Sequence, residues 1–494
     1  MIKFENASFV YKNGQRNNGM RDVSLNIPEG QVVLLCGESG CGKTTLTRMI
    51  NGLVPHFYEG EMSGEVFVCG NNVAECELYQ LAYYVGSVFQ NPKSQFYTVK
   101  TDTEVVFTCE NLGMEKQLIF ERFENIVEAL DITALLGKSL FSLSGGEKQR
   151  VACASAIAPN PPIVVMDEPT SNLDTHTIAQ LRKIIKKWKQ DRKTVIIAEH
   201  RLEWLMDLAD RVIYMKNGRI INDYTIEQFK KISKEQLKIM GLRSKPEFQK
   251  ENRATDNAGK IEFVDFSYTY KGENKPALSI PYINLPENSI IGIVGNNGAG
   301  KSTFGHVFCG LEKRSKGDIF LNGESFKRKN RIESTYIVMQ DVNQQLFTES
   351  VFEEVRLSME RLGLSHEEQE KRTNIILKEL GLEEFKDSHP MSLSGGQKQR
   401  VAMASALASD KRFLLYDEPT SGLDYMHMIE VADAIKRMKA ARRTQFVITH
   451  DSELVSRCCD YILFLECGEV KCIGNIDDMA IQETLQEFWN QVYM

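Results

Sequence analysis

Long apolar runs are missing from this 494-residue sequence, and none approaches the ~20 residues that cross a bilayer as a helix. The eleven cysteines include no C-x-x-C pair. That excludes the common zinc and redox spacings and leaves scattered free thiols suited to a reducing compartment. An excess of positive charge is also absent. Lys and Arg number 60 against 67 Asp and Glu, a formal net charge of −7, which argues against a basic nucleic-acid-binding face. The opening residues MIKFENASFV alternate like a strand and lack the charged and apolar regions of a signal peptide. A cytoplasmic protein is expected. Hydrophobic content of 42% and charged content of 26% suit an ordinary globular chain, and the length calls for more than one domain.

What the sequence does hold, it holds twice. SLSGGEKQRVA (Ser142–Ala152) returns as SLSGGQKQRVA (Ser392–Ala402), with Glu147 against Gln397 the one difference. Gln90 and Gln340, Asp167 and Asp417, and His200 and His450 share the same offset of 250. Lys43 and Lys301 are 258 apart, so the first half carries eight more residues between its lysine and its glutamine. The pattern predicts two whole domains in tandem, over 1–240 and 260–494. Between them 241–259 is polar and charged, carries Pro246 and Gly259, and reads as a linker.

Each half has a phosphate-loop pattern between a strand-like run and a helix-compatible stretch. The first is Gly37, Glu38, Ser39, Gly40, Cys41, Gly42, Lys43, Thr44 and Thr45; the second is Gly295, Asn296, Asn297, Gly298, Ala299, Gly300, Lys301, Ser302 and Thr303. Glycines let the backbone aim N–H groups at phosphate oxygens, and the following helix adds its positive end. Lys43 and Lys301 are expected on the β- and γ-phosphates, and Thr44 and Ser302 on Mg²⁺. Cys41 has Ala299 as its counterpart. Lys43 and the helix N-terminus should favour its thiolate, so a reactive thiol shielded by Mg-ATP is expected.

IVVMDEP and FLLYDEP each place two acids after an apolar run, as a buried parallel strand ending at the nucleotide edge would. Asp167 and Asp417 are expected to hold Mg²⁺, and Glu168 and Glu418 to act as general bases on the attacking water. His200 and His450, each 33 residues past its aspartate, end apolar runs and could contact the γ-phosphate. Gln90 and Gln340 join the metal and cofactor set by the same positional argument.

Phosphate loop, Gln, LSGG segment, Asp-Glu and His, in that order in both halves, resemble the ATP-binding cassette (ABC) ATPases. The resemblance covers nearly the whole chain. It implies two tandem P-loop α/β domains, each with a mainly parallel sheet core, an antiparallel β subdomain and a helical subdomain, and it implies ATP and Mg²⁺ as cofactors. Ser144, Gly145, Gly146 and Glu147, with Leu143 before them, match the family's signature, as do Ser394, Gly395, Gly396 and Gln397 after Leu393. Tyr11 and Tyr270 match the aromatic that stacks on adenine. Ser171 to Asp174 and Ser421 to Asp424 match the loop at the dimer interface, where Asn172 replaces the usual Gly kept as Gly422. In the family two cassettes pair head to tail, so the two halves are expected to form an intramolecular dimer with two composite sites.

NGLVPHFYEGEMSGEV, the segments QNPKSQFY and QDVNQQLF, and AEHRLE are similar to the ATPases of energy-coupling factor (ECF) importers. Those import vitamins or transition-metal ions with a membrane transmitter and a membrane substrate-binding subunit. The resemblance implies an ATP-hydrolysing motor on the cytoplasmic face of the cell membrane, with the transmitter docked near Gln90 and Gln340 and no nucleic acid. Two alternatives stand beside it: a soluble tandem ABC ATPase acting on ribosomes or nucleic acid, and a tandem sugar-importer ATPase. The transported substrate is selected by another subunit and is not encoded here.

Overall fold

Runs with no polar interruption, such as VVLLC and IIGIV, form the central strands of two similar sheets. In the first half the order is Arg219–Thr225, Arg211–Lys216, Val32–Cys36, Thr194–Ala198, Ile163–Asp167, Val85–Val88. All neighbours run parallel except the first pair. The second half repeats it as Glu469–Asn475, Tyr461–Glu466, Ile290–Val294, Thr444–Ile448, Phe413–Asp417, Thr335–Val338. The computed structural model describes residues 1–12, 19–171, 173–244, 259–440 and 443–493. It divides into two units, Met1–Ser244 with Gln491–Met494, and Lys245–Asn490. The expected linker falls mostly on 245–258, outside the described residues.

The strands are apolar throughout because both faces are covered. Val32, Leu34 and Cys36 join the core beneath the helices, while Val33 and Leu35 join a second core beneath an antiparallel sheet. Ile291 and Ile293 take the equivalent side in the second unit, where Phe304, Phe308, Phe413 and Phe446 build an aromatic core. The four-stranded antiparallel sheet of the first unit starts with Ile2–Tyr11, which buries Ile2 and Phe4, then Ala7 and Phe9. The shift from even to odd positions falls at a bulge around Asn6, whose φ is +47°. Asn is one of the few residues that adopts this left-handed conformation cheaply.

A helical region in each unit carries the signature segment: Thr101–Asn111, Lys116–Ala129 and Gly145–Ile157 in the first, Val351–Leu357, His366–Glu379 and Gly395–Ala408 in the second. These are the three elements, sheet core, antiparallel sheet and helical region, that the sequence predicts. Among the described residues, no helix is long and apolar enough to cross a membrane.

Candidate nucleotide site

The phosphate loop leaves the strand at Cys36 and enters the helix Lys43–Ile50; its counterpart leaves Val294 and enters Lys301–Phe308. Gly42 and Gly300 precede the helices at φ +103° and +96°. A β-carbon there would fall 3.0 Å from the Gly19 carbonyl oxygen and 2.8 Å from that of Ala277. Conformation and crowding both demand glycine. Lys43 is buried, and its ammonium donates to the carbonyls of Gly37 (2.9 Å) and Glu38 (3.0 Å). Lys301 does the same to Gly295 (2.9 Å) and Asn296 (3.0 Å). Each ammonium therefore lies inside the turn of its loop. The Tyr11 hydroxyl lies 3.3 Å from Thr45 Oγ1, and that of Tyr270 lies 2.9 Å from Thr303 Oγ1, so both aromatics are tethered to the loop helices.

The two acids sit at the end of the neighbouring-but-one strand. Burial, then the charge of Glu168, lift Asp167 to about 6, against a hydrogen bond from Thr44. Its Oδ1 is buried with no hydrogen-bond partner. Burial also lifts Asp417, whose Oδ1 accepts from Ser302 Oγ at 3.4 Å. An unsatisfied carboxylate oxygen next to a hydroxyl is a hard-oxygen donor set and fits Mg²⁺. Among the described residues no three His, Cys, Asp or Glu side chains are placed to hold a metal ion between them, so most ligands would come from phosphate and water.

Glu168 and Glu418 have φ of +45° and +49°, a conformation unusual for glutamate. Each backbone N–H is held by the adjacent strand, at Ala198 O (2.8 Å) and Ile448 O (2.9 Å). Glu168 accepts from Gln90 Nε2 at 2.7 Å and lies 3.1 Å from His200 Nε2. Burial pushes this carboxyl up, but His200, Lys43 and Gln90 together bring it below the ordinary value. It is thus ionised and can accept a proton from water. Glu418 lies 3.5 Å from His450 Nε2 and accepts from the His450 N–H at 3.3 Å. His450 Nε2 also lies 3.2 Å from Lys301 Nζ and 3.0 Å from Asn297 Oδ1. In each unit the loop lysine, the Asp-Glu pair and the histidine come together.

Ser144 and Ser394 open the signature helices as N-caps. Each hydroxyl accepts from the N–H three residues on, and the Glu147 or Gln397 side chain accepts from the serine N–H, at 2.8 and 2.9 Å. Glu and Gln serve this capping box equally, which explains why the repeat tolerates its single difference. Asp174 and Asp424 cap the next long helices through Thr177 N and His427 N. Asn172 lies outside the described residues.

One expectation is corrected. Cys41 is buried, and desolvation raises its thiol despite Lys43, whose Nζ lies 3.8 Å from Sγ. Charge alone suggested a reactive thiolate; burial wins. The segments after the glutamines each turn one side chain inward and the next outward. Leu346 is buried and Phe96 packs against the core, whereas Tyr97 and Phe347 are 80% and 73% exposed. Two buried acids hold these segments, and sequence reasoning missed both. Glu104 accepts from the N–H of Tyr97 and Thr98, and Glu354 from those of Phe347 and Thr348. Their shared 250-residue offset was the available signal.

Both units match the family model described as ABC transporter, over residues 20–171 and 278–421. The chain belongs to the ABC transporter family. An ABC transporter ATP-binding protein of Treponema denticola is 45% identical over 477 residues, covering 95% of this chain and 96% of the relative. One from Methanosarcina mazei is 32% identical, covering 96% and 89%. Two solved structures share the fold at about one-fifth identity: a model of ribosome-bound archaeal Pelota and ABCE1 (TM-score 0.70, 20% identity, 99% of this chain and 80% of that one), and an RNase-L inhibitor (0.67, 21%, 99% and 93%). This ABC protein is a tandem ATP hydrolase, and ABC ATPase domains bind ATP with Mg²⁺.

Proposed function

We propose that this chain is the ATP-hydrolysing motor subunit of an importer of the ECF type, working at the cytoplasmic face of the membrane with a transmitter and a substrate-binding subunit. In this reading the two phosphate loops, from Gly37 to Thr45 and from Gly295 to Thr303, hold the phosphates, and Tyr11 and Tyr270 carry adenine. Thr44, Asp167, Ser302 and Asp417 hold Mg²⁺, with Gln90 and Gln340 beside it. Glu168 and Glu418 take the proton of the attacking water, assisted by His200 and His450, and the two signature segments clamp nucleotide with their helix N-termini.

The observation that supports a membrane partner is the linkage at Gln90. Its amide holds Glu168, and a few residues on, the buried Glu104 fixes a segment that exposes Tyr97. A cleft of about 220 Å³ beside it runs from Thr44, Asp167 and Gln90 to Arg48, Asn91 and Tyr58. A partner pressing on this segment reaches the acid through one side chain. Tyr97→Asp with Phe347→Asp should release co-purifying membrane subunits while ATP binding stays within about two-fold. Retained assembly, or an equal loss of ATP binding, counts against the docking site. Both side chains are exposed, so the fold should survive.

A further inference from the structure

The long helix that follows each Asp-Glu pair packs its first turn beneath a signature glycine. The two units differ there. A β-carbon at Gly146 would fall 2.6 Å from Thr177 Oγ1, whereas one at Gly396 would fall 3.1 Å from Cδ2 of His427. The imidazole thus lies flush under the second signature helix, where the first unit has a neutral hydroxyl. His427 Nδ1 lies 2.7 Å from Oδ1 of Asp424, the buried carboxylate that also accepts the His427 N–H. The far edge of the ring is partly open to solvent.

We propose that His427 is a positioning residue for the second signature segment and makes nucleotide capture by that segment depend on pH. The proposal rests on the reading above that signature segments clamp nucleotide.

The electrostatics fit this role. The hydrogen bond to Asp424 raises the His427 imidazole above its ordinary value, against partial burial. Glu430 on the same helix also favours the imidazolium, and Arg400 on the signature helix opposes it. Those two pair with each other at 2.9 Å. In the first unit the matching positions are Thr177, Gln180 and Arg150, none of a type that titrates near neutrality; the neighbouring His176 is exposed and lies against Gln180 at 3.2 Å, while Thr177 is the side chain nearest Gly146. The imidazolium sits near the N-termini of two helices, an unfavourable place for a cation. A phosphate arriving at the signature reverses that sign. Protonation and anion binding therefore reinforce each other, and capture by the second signature strengthens as pH falls.

The test uses the full chain carrying Glu168→Gln and Glu418→Gln, with retained radiolabelled Mg-ATP measured from pH 6 to 9. Adding Gly145→Asp leaves the second signature intact; adding Gly395→Asp leaves the first. The Gly145→Asp protein should lose affinity by roughly two- to thirty-fold as pH rises, the span of one charge at a helix end. His427→Gln keeps a hydrogen bond to Asp424 without the charge and should flatten that profile. His427→Thr, which copies the first unit, should do the same. The Gly395→Asp protein should respond to neither change. An unaltered pH slope in the His427→Gln and His427→Thr proteins overturns the proposal. If Gly145→Asp and Gly395→Asp together leave retention intact, the signature reading itself has failed, and that result is distinct from an unaltered slope.

Discussion

Glu168 and Glu199 sit close in the chain fold of the first unit yet ionise oppositely. Glu168 is kept below its ordinary value by His200, Lys43 and Gln90 against burial, while burial lifts Glu199 to about 7 in spite of a 2.6 Å hydrogen bond from Thr170. Two outcomes follow. Glu168→Gln with Glu418→Gln should lower ATP turnover by roughly 10²–10⁴-fold, the range for loss of a general base, and leave ATP binding in place. Undiminished turnover in a steady-state assay would remove both residues from the chemistry. For Glu199 the folded carboxyl lies above its ordinary 4.5. Its contribution is therefore most favourable below pH 4.5 and is lost as pH rises through about 7, by on the order of 3 kcal/mol. Glu199→Gln keeps the acceptor for Thr170, so it should raise the melting temperature more at pH 8 than at pH 5. An equal gain at both values would contradict the assignment. The second unit keeps the threonine and moves the acid: Thr420, the counterpart of Thr170, donates to Asp451 at 2.8 Å, and Thr449 stands where the first unit has Glu199.

At the scale of elements, continuous apolar runs announce buried parallel strands, and the repeat supplies their ends, so the core strands and the loops beyond them were legible. The capping box was legible too, since S-x-x-E and S-x-x-Q precede the apolar stretch of a helix. Direction was not. Phe96 and Tyr97 are adjacent aromatics, and only the hold of Glu104 decides which one faces out. The left-handed backbone of Glu168 was equally hidden, because glutamate gives no sign of it and the neighbouring strand imposes it. Packing differs between the halves in a way that makes a further prediction. Phe308 is fully buried, with Phe413 and Phe446 at 5.4 and 4.7 Å. Phe308→Ala should cost about 3–5 kcal/mol in a denaturant titration that resolves the second unit. A loss below ~1 kcal/mol would mean that this core closes over the gap.

For the whole molecule, the question is what its ATP cycle drives. A net charge of −7 disfavours phosphate-rich partners, while the fold is shared with proteins of different settings. Fractionation of native cells at moderate salt should place the chain with membranes through its partner subunits. Sedimentation with ribosomes, unchanged by Tyr97→Asp and Phe347→Asp, would overturn the importer reading. The two units also differ in the groups around their sites: Cys41 against Ala299, Glu199 against Thr449, Thr177 against His427. Equal motifs therefore sit in unequal surroundings, and the halves should respond differently to pH.

The backbone at Glu168 and Glu418 sets heat resistance against turnover. Asparagine or glycine would adopt those φ values with less cost, roughly 1 kcal/mol or more at each position. If both glutamates activate water as proposed, a laboratory selection for survival at high temperature that never assays turnover would exchange them early and arrive at a sturdier, idle protein. Backbone comfort and the proposed chemistry thus pull the same two positions in opposite directions.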